Sequence, residues 1–155
     1  MILRPDNIIS GGQYGADWAG LVAARHCGIP TGGTAPKGYR VQLEDGTDSF
    51  NLQLRDFCLV EHSSREYSPR TRQNVKDCTG TALFGFVGSP GAKLTIRCCK
   101  EEGKPIIINP TYKELRWWVQ DQEIRILNIA GNRVSPENPD IYDQVYNCVY
   151  KAFCF

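Results

Sequence analysis

The chain runs to 155 residues, 41% of them hydrophobic and 23% charged, and its 18 Lys and Arg balance 17 Asp and Glu to a net charge of +1. This length predicts one domain with a substantial core, spanning residues 1–155, and the composition excludes a disordered or fibrous chain. Near-neutrality removes the global attraction that a nucleic-acid polymer or an anionic membrane exploits, so neither partner is expected and any anion selectivity has to be local.

The N-terminal apolar stretch breaks at Arg4-Pro5-Asp6, too early for the core of a signal peptide, and no later run approaches membrane-spanning length. The expected localisation is cytoplasmic. Asn7–Ser10 reads as a short buried strand. Asp17–Cys27 reads as a helix, because Trp18, Leu21, Val22 and Arg25 recur at helical spacing and Gly28 stands where a C-terminal stop belongs. The turn between them lies in SGGQYGADWAG, Ser10–Gly20. A glycine-rich turn entering a helix aims free backbone N–H groups and the positive end of the helix dipole at one spot, where phosphates dock. Tyr14 and Trp18, four residues apart, can both reach one side of this turn, either as packing or as ligand contacts.

IPTGGTAPKG follows, with Pro30, Gly32, Gly33, Pro36 and Gly38, and predicts about two residues of strand and then a second structured loop. Residues 39–66 offer only polar turns at Glu44–Ser49 and a short strand at Phe57–Glu61. Ser68-Pro69 resembles an N-cap followed by proline at the first helical position. That predicts a helix to about Asp77, with Arg70, Asn74 and Asp77 near one face. Thr81–Val87 and Pro105–Asn109 are apolar runs typical of strands buried on both sides. Lys93–Glu102 has helical length and stops at Gly103. Tyr112–Asp121 is a helix whose adjacent Trp117 and Trp118 cannot both point inward, so one is exposed or sits at a subunit interface. Ile124–Ile129 is a further strand and Pro139–Phe153 a closing helix with Ile141, Val145, Cys148, Val149 and Ala152 on one side.

Strands that alternate with helices predict an α/β fold, a parallel sheet with helices on both faces. Ligands in such sheets bind beyond the carboxyl ends of the strands, where SGGQYG, TGG, GSPGAK and AGNR all fall in this reading. SGGQYGAD is neither the dinucleotide fingerprint nor a P-loop. GSPGAKLT adds Gly88, Gly91 and Thr95 before a helix, with Lys93 as a cation. Lys37, Arg40, Arg70, Arg72 and Arg133 lie on the same side of the predicted sheet. Arg70 and Arg133 are the best candidates for bidentate phosphate contacts, while Asn74 and Asn128 could bond a heterocycle or ribose. Seven cysteines, odd in number and without a CxxC pair or zinc-finger spacing, read as small buried hydrophobes, with Cys98-Cys99 the pair that stands out. His26 and His62 have no recognisable nucleophile partner.

IISGGQYGAD, GIPTGGTAPKG, YSPRTRQNVKD, SPGAKLTI and LNIAGNRVSPENPDIY resemble, in that order, the motifs of the molybdenum cofactor carrier family within the SLOG superfamily. That superfamily also holds lysine-decarboxylase-like phosphoribohydrolases and sensors of nucleotide signals. The resemblance runs from about Ile8 to Val149. It implies a Rossmann-like domain, usually a homo-oligomer, that holds a phosphate-bearing small molecule, molybdopterin or nucleotide, at its glycine loops, with molybdenum cofactor as bound cargo. By position it points to Gly11, Gly12, Gln13, Gly32, Gly33, Arg70, Asn74, Gly91, Thr95, Asn128 and Gly131 as pocket residues. The residue reading adds Tyr14, Trp18, Lys37, Lys93 and Arg133.

Two departures stand out. The family's first motif commonly runs GGQTGADR, whereas here Tyr14 replaces the threonine and Trp18 the arginine. The phosphoribohydrolase motif PGGxGTxxE, aligned on Thr95, puts Cys98 where its glutamate belongs, with Glu101 and Glu102 further along the helix. With no catalytic or metal-ligating residue assigned, binding without turnover is the expected function. A cofactor carrier comes first, a sensor of a cyclic ADP-ribose-type nucleotide second, and a nucleoside-monophosphate phosphoribohydrolase third.

Overall fold

The computed structural model describes residues 3–155, so Met1 and Ile2 of the predicted domain lie outside the described residues. The short apolar runs β1 (Asn7–Ile9), β2 (Thr31–Ala35), β5 (Leu59–Glu61), β6 (Gly80–Phe84), β7 (Ile106–Ile108) and β8 (Ile126–Gly131) form one six-stranded sheet in the order β5-β2-β1-β8-β6-β7. Every pairing in it is parallel. The last strand is inserted beside the first, with Ile8 opposite Leu127 and Ile9 opposite Asn128. The carboxyl ends of β1, β8 and β6 therefore come together at the centre of one edge, where the crossovers change direction.

Among the described residues five α-helices cover the sheet: α1 (Ala16–His26), α2 (Tyr67–Asp77), α3 (Pro90–Glu102), α4 (Tyr112–Asp121) and α5 (Ile141–Phe153). Helices α1 and α4 both pack against α5 on one face, and α2 packs against α3 on the other. The period-2 alternation of strands then divides the chemistry. Ile8, Ala82, Phe84, Leu127 and Ile129 turn toward α1, α4 and α5, where they meet Leu115, Trp118, Val145, Val149 and Phe153 in the main core. On this face α1 lies close to the sheet through small residues, and a Cβ on Gly20 would come within 2.8 Å of Ile129. The opposite face has only Val75, Cys98 and Cys99 in its core cluster, flanked by Leu94 and Ile106, beside the buried polar side chains Asn74, Thr81, Thr95 and Asn128.

Several elements depart from the sequence expectation. The TGG segment is not a loop but part of β2, where Gly33, at φ 125°, lies so close to Ser10 that a Cβ would sit 2.1 Å from its carbonyl oxygen. Glycine there lets the strand approach Ser10. The N-cap-proline pair belongs to Ser89-Pro90 rather than Ser68-Pro69: Ser89 Oγ accepts from the Ala92 N–H and α3 starts at Pro90, while α2 starts at Tyr67 after Glu66. Residues 39–66 contain an antiparallel hairpin, β3 (Arg40–Gln42) and β4 (Asp48–Phe50), that the local sequence did not announce. PIIIN is an edge strand with Ile108 exposed, not a strand buried on both sides. The strand expected at Ile124–Ile129 lies at Ile126–Gly131. Helix α4 has the expected bounds, closed by a Thr111–Glu114 capping box, and of its tryptophans Trp118 is buried and Trp117 exposed. Among the described residues no helix is long and apolar enough to cross a membrane.

Candidate functional site

Beyond the carboxyl ends of β6 and β8 a cleft of about 1080 Å³ opens between the N-terminal turns of α2 and α3. Tyr67 and Arg70 line it from α2, Gly91, Leu94 and Arg97 from α3, and Phe86, Gly131 and Arg133 from the strand ends. At its base a smaller polar pocket of about 50 Å³ is lined by Gly11, Asp17, Asn74, Thr95 and Asn128. Arg70, Thr71, Gly91 and Gly131 belong to both. The inner volume suits an oxyanion group or one to two waters, since a water occupies about 30 Å³. Two helix N-termini beside one cleft make its local potential positive.

Arg70 is the hinge between cleft and inner pocket. Its Nη1 lies 3.3 Å from Asp17 Oδ2, which also accepts from the Gln13 N–H at 3.2 Å. Its Nε is buried and has no hydrogen-bond partner among the described residues. The guanidinium can lie there only because Gly11 is bare: a Cβ at that position would come within 2.0 Å of Nη1. Burial pushes the Asp17 carboxyl above its ordinary value of 3.8, with Arg70 and the Gln13 N–H opposing the shift. One carboxylate and one guanidinium with an unspent donor form a cradle that an incoming oxyanion completes.

The carboxamides at this edge do other work than the sequence suggested. Gln13 Nε2 donates to the Arg40 carbonyl at 2.9 Å and its Oε1 accepts from the Gln42 N–H at 3.1 Å, so it staples β3 to the glycine turn. Asn74 does the same to Thr34, accepting from its N–H at 2.8 Å and donating to its carbonyl at 2.9 Å, which ties α2 to β2. Asn109 clamps both backbone groups of Gly85 and Asn132 those of Phe86. Asn128 donates to Thr81 Oγ1 at 3.2 Å, and Thr95 Oγ1 donates to the Gly91 carbonyl. Side-chain amides that satisfy strand-end backbone hold the site in one shape.

The structure thus brings Gly11, Gln13, Arg70, Asn74, Gly91, Thr95, Asn128, Gly131 and Arg133 to the cleft or its inner pocket. Arg133 Nη1 donates to the carbonyls of Leu43 and Val134 and so anchors the hairpin. Gly12, Tyr14, Trp18, Gly32, Gly33, Lys37 and Lys93 line neither. A Cβ on Gly12 would meet Leu54 at 2.6 Å, so that glycine faces the packing beside α1. Trp18 stacks edge-on against Phe57 at 5.0 Å and Tyr14 against Trp18 at 6.2 Å, which makes the two rings a packing pair. Lys37 and Lys93 are exposed. The residues that sequence reasoning missed at the site include Asp17, Tyr67, Phe86, Leu94, Arg97 and Glu137. Two signals were available: Asp17 stands one turn from the glycines, and Leu94 and Arg97 share the helical face of Gly91.

Cys98, at the position of the hydrolase glutamate, is 2% exposed among Cys99 and Val75, and burial pushes its thiol up. It does not line the cleft. Glu101 is exposed and pairs with Arg72 at 3.5 Å.

A family model, the circularly permutated YpsA SLOG family, matches residues 8–153. Among solved structures, the protein named "Putative molybdenum carrier protein" from Syntrophus aciditrophicus SB is 31% identical, with a TM-score of 0.82 over 97% of this chain and 96% of that one. No curated protein matches.

Proposed function

The chain belongs to the circularly permutated YpsA SLOG family, and from that premise we propose that it is a non-catalytic binding protein that holds a phosphate-bearing small molecule in the cleft. The observation that carries this reading is the Arg70 guanidinium, poised over the bare Gly11 backbone with a buried Nε that no described residue satisfies. A buried donor left unpaired costs about 1–3 kcal/mol, and an oxyanion in the inner pocket would recover that cost. Thr95, the Gly91 backbone and the N-terminal turns of α2 and α3 surround the same volume.

The cargo is most like molybdenum cofactor. Likeness to a named molybdenum carrier supports that choice, and so does the donor set. Arg70 with its unpaired buried Nε and the Gly91 backbone line the inner pocket, a set that suits a ligand presenting anionic oxygens. Arg70, with Gly11 and Thr95, would hold the phosphate, and the wider cleft would take the rest of the molecule. The same contacts suit a nucleotide signal, the second reading, and the two share one anion subsite. Cys98 in a buried cluster gives phosphoribohydrolase chemistry no carboxylate at the expected position. Homo-oligomerisation, through the family resemblance, and a cytoplasmic site of action are both part of the proposal.

A thermal-shift screen of pterin phosphates and nucleotides, run on the protein and on Arg70→Ala, tests the reading. At least one phosphate-bearing compound raises the melting temperature of the protein, and that rise is lost in Arg70→Ala. No response to any of them, or an equal response in the variant, contradicts it.

A further inference from the structure

Phe86 is 71% exposed, an apolar ring left in water on a segment that is firmly held. Its backbone N–H donates to Asn132 Oδ1 at 2.5 Å and its carbonyl accepts from Asn132 Nδ2 at 3.2 Å. Gly85 is held in the same two-sided way by Asn109, at 2.7 and 2.9 Å. The ring lies back over Gly88, where a Cβ would come within 2.4 Å of its Cζ, so a bare glycine also makes room for the side chain. Two amide clamps and a glycine therefore present a phenyl ring at the wall of the cleft that contains Arg70. Leaving a ring this exposed forfeits its burial energy, which an occupant would return.

The other aromatic side chain in the cleft is already engaged. Tyr67 donates its hydroxyl to Asp48 at 3.1 Å, and the Arg40 guanidinium covers its ring at 4.7 Å. Phe86 is the ring with a free face. We propose that Phe86 is the platform on which the flat nitrogen heterocycle of the cargo stacks, a pterin or a purine, while the phosphate end of the same molecule sits at Arg70. This rests on the function proposed above. Stacking reads the flat face of a ring rather than its edge, so Phe86 sets a preference for ring-bearing phosphates over ring-free ones without selecting among rings.

Guanosine monophosphate, dihydroneopterin triphosphate and ribose 5-phosphate, titrated into the protein and into Phe86→Ala, Phe86→Trp and Arg70→Ala, test the assignment, with size-exclusion chromatography alongside. Whichever ring-bearing probe binds more tightly than ribose 5-phosphate loses about fivefold or more in affinity in Phe86→Ala and recovers in Phe86→Trp, while ribose 5-phosphate is unchanged. Arg70→Ala weakens all three. An unchanged ring preference in Phe86→Ala, or an equal loss for ribose 5-phosphate, overturns the stacking role and leaves the binding function standing. Conversion of an oligomer to a smaller species in Phe86→Ala with ring preference intact also overturns it and assigns the ring to a subunit contact. If the protein binds none of the three probes, the binding function falls and the stacking role with it.

Discussion

The two faces of the sheet are built from the same strands and do opposite things. Toward α1, α4 and α5 the alternating residues are Ile8, Ala82, Phe84, Leu127 and Ile129, and they disappear into a continuous apolar core. Toward α2 and α3 the intervening positions include Thr81 and Asn128, and the helices above add Asn74, Thr95 and Arg70. The first face carries the hydrophobic stabilisation, and the second trades apolar packing for a polar pocket at the strand ends. Because Asp17 lies on α1 and Gly11 in the turn before it, the well-packed half fixes one wall of the pocket while α2 and α3 supply the other.

Substitutions should separate these roles. The largest effect belongs to the packed face: Phe153→Ala, at a fully buried position, is expected to cost about 3–5 kcal/mol in urea denaturation and to leave the ligand affinity of the remaining folded protein unchanged. Next comes Asn74→Ala, which unpairs both backbone groups of Thr34 and should cost about 1–3 kcal/mol for each buried group left unsatisfied. It should also weaken binding, because α2 positions Arg70; a purely energetic loss with full affinity would break the link between staple and site.

Gly11→Ala sharpens the contrast further. The Cβ would displace the guanidinium at the far end of a flexible side chain, and Gly11 is not in the left-handed region, so stability should change by less than about 1 kcal/mol while phosphate-dependent binding falls about tenfold. Equal affinity in titration calorimetry would remove Arg70 from the anion subsite. The smallest effect is one of pH. Burial raises the Asp17 carboxyl above 3.8, so its contribution to stability is full below that pH and is lost as the pH rises through the higher folded value. Asp17→Asn should flatten the stability profile in that window; an identical slope would show that another group titrates there.

Much of the architecture was readable because it rests on apolar periodicity. Tyr112–Asp121 repeats its buried face cleanly, and β1 with α1 announces itself by spacing and a terminal glycine. The hairpin at residues 40–50 was not readable, because its position is set by distant partners: Gln13 on Arg40 and Gln42, Arg133 on Leu43, and Tyr67 on Asp48. Glycines misled in both directions. Gly32 and Gly33 looked like a phosphate loop but lie in β2, where Gly33 lets the strand approach Ser10, whereas Gly85, at φ 104°, ends β6 and turns Phe86 out of what read as a continuous strand to Val87. Local sequence likewise indicated aromatic rings near a glycine turn. Which rings meet the cleft depended on Phe57, a residue distant in the chain that gives Trp18 its packing partner.

The most direct test of the central claim is to denature freshly purified protein and Arg70→Ala side by side, identify the released small molecules by mass spectrometry, and measure molybdenum in the same samples. The account predicts a phosphate-bearing heterocycle released from the protein and absent or strongly depleted in Arg70→Ala, with pterin and molybdenum together marking the cofactor-carrier form. Release of nothing, or of the same molecule in equal amount from both, would contradict it.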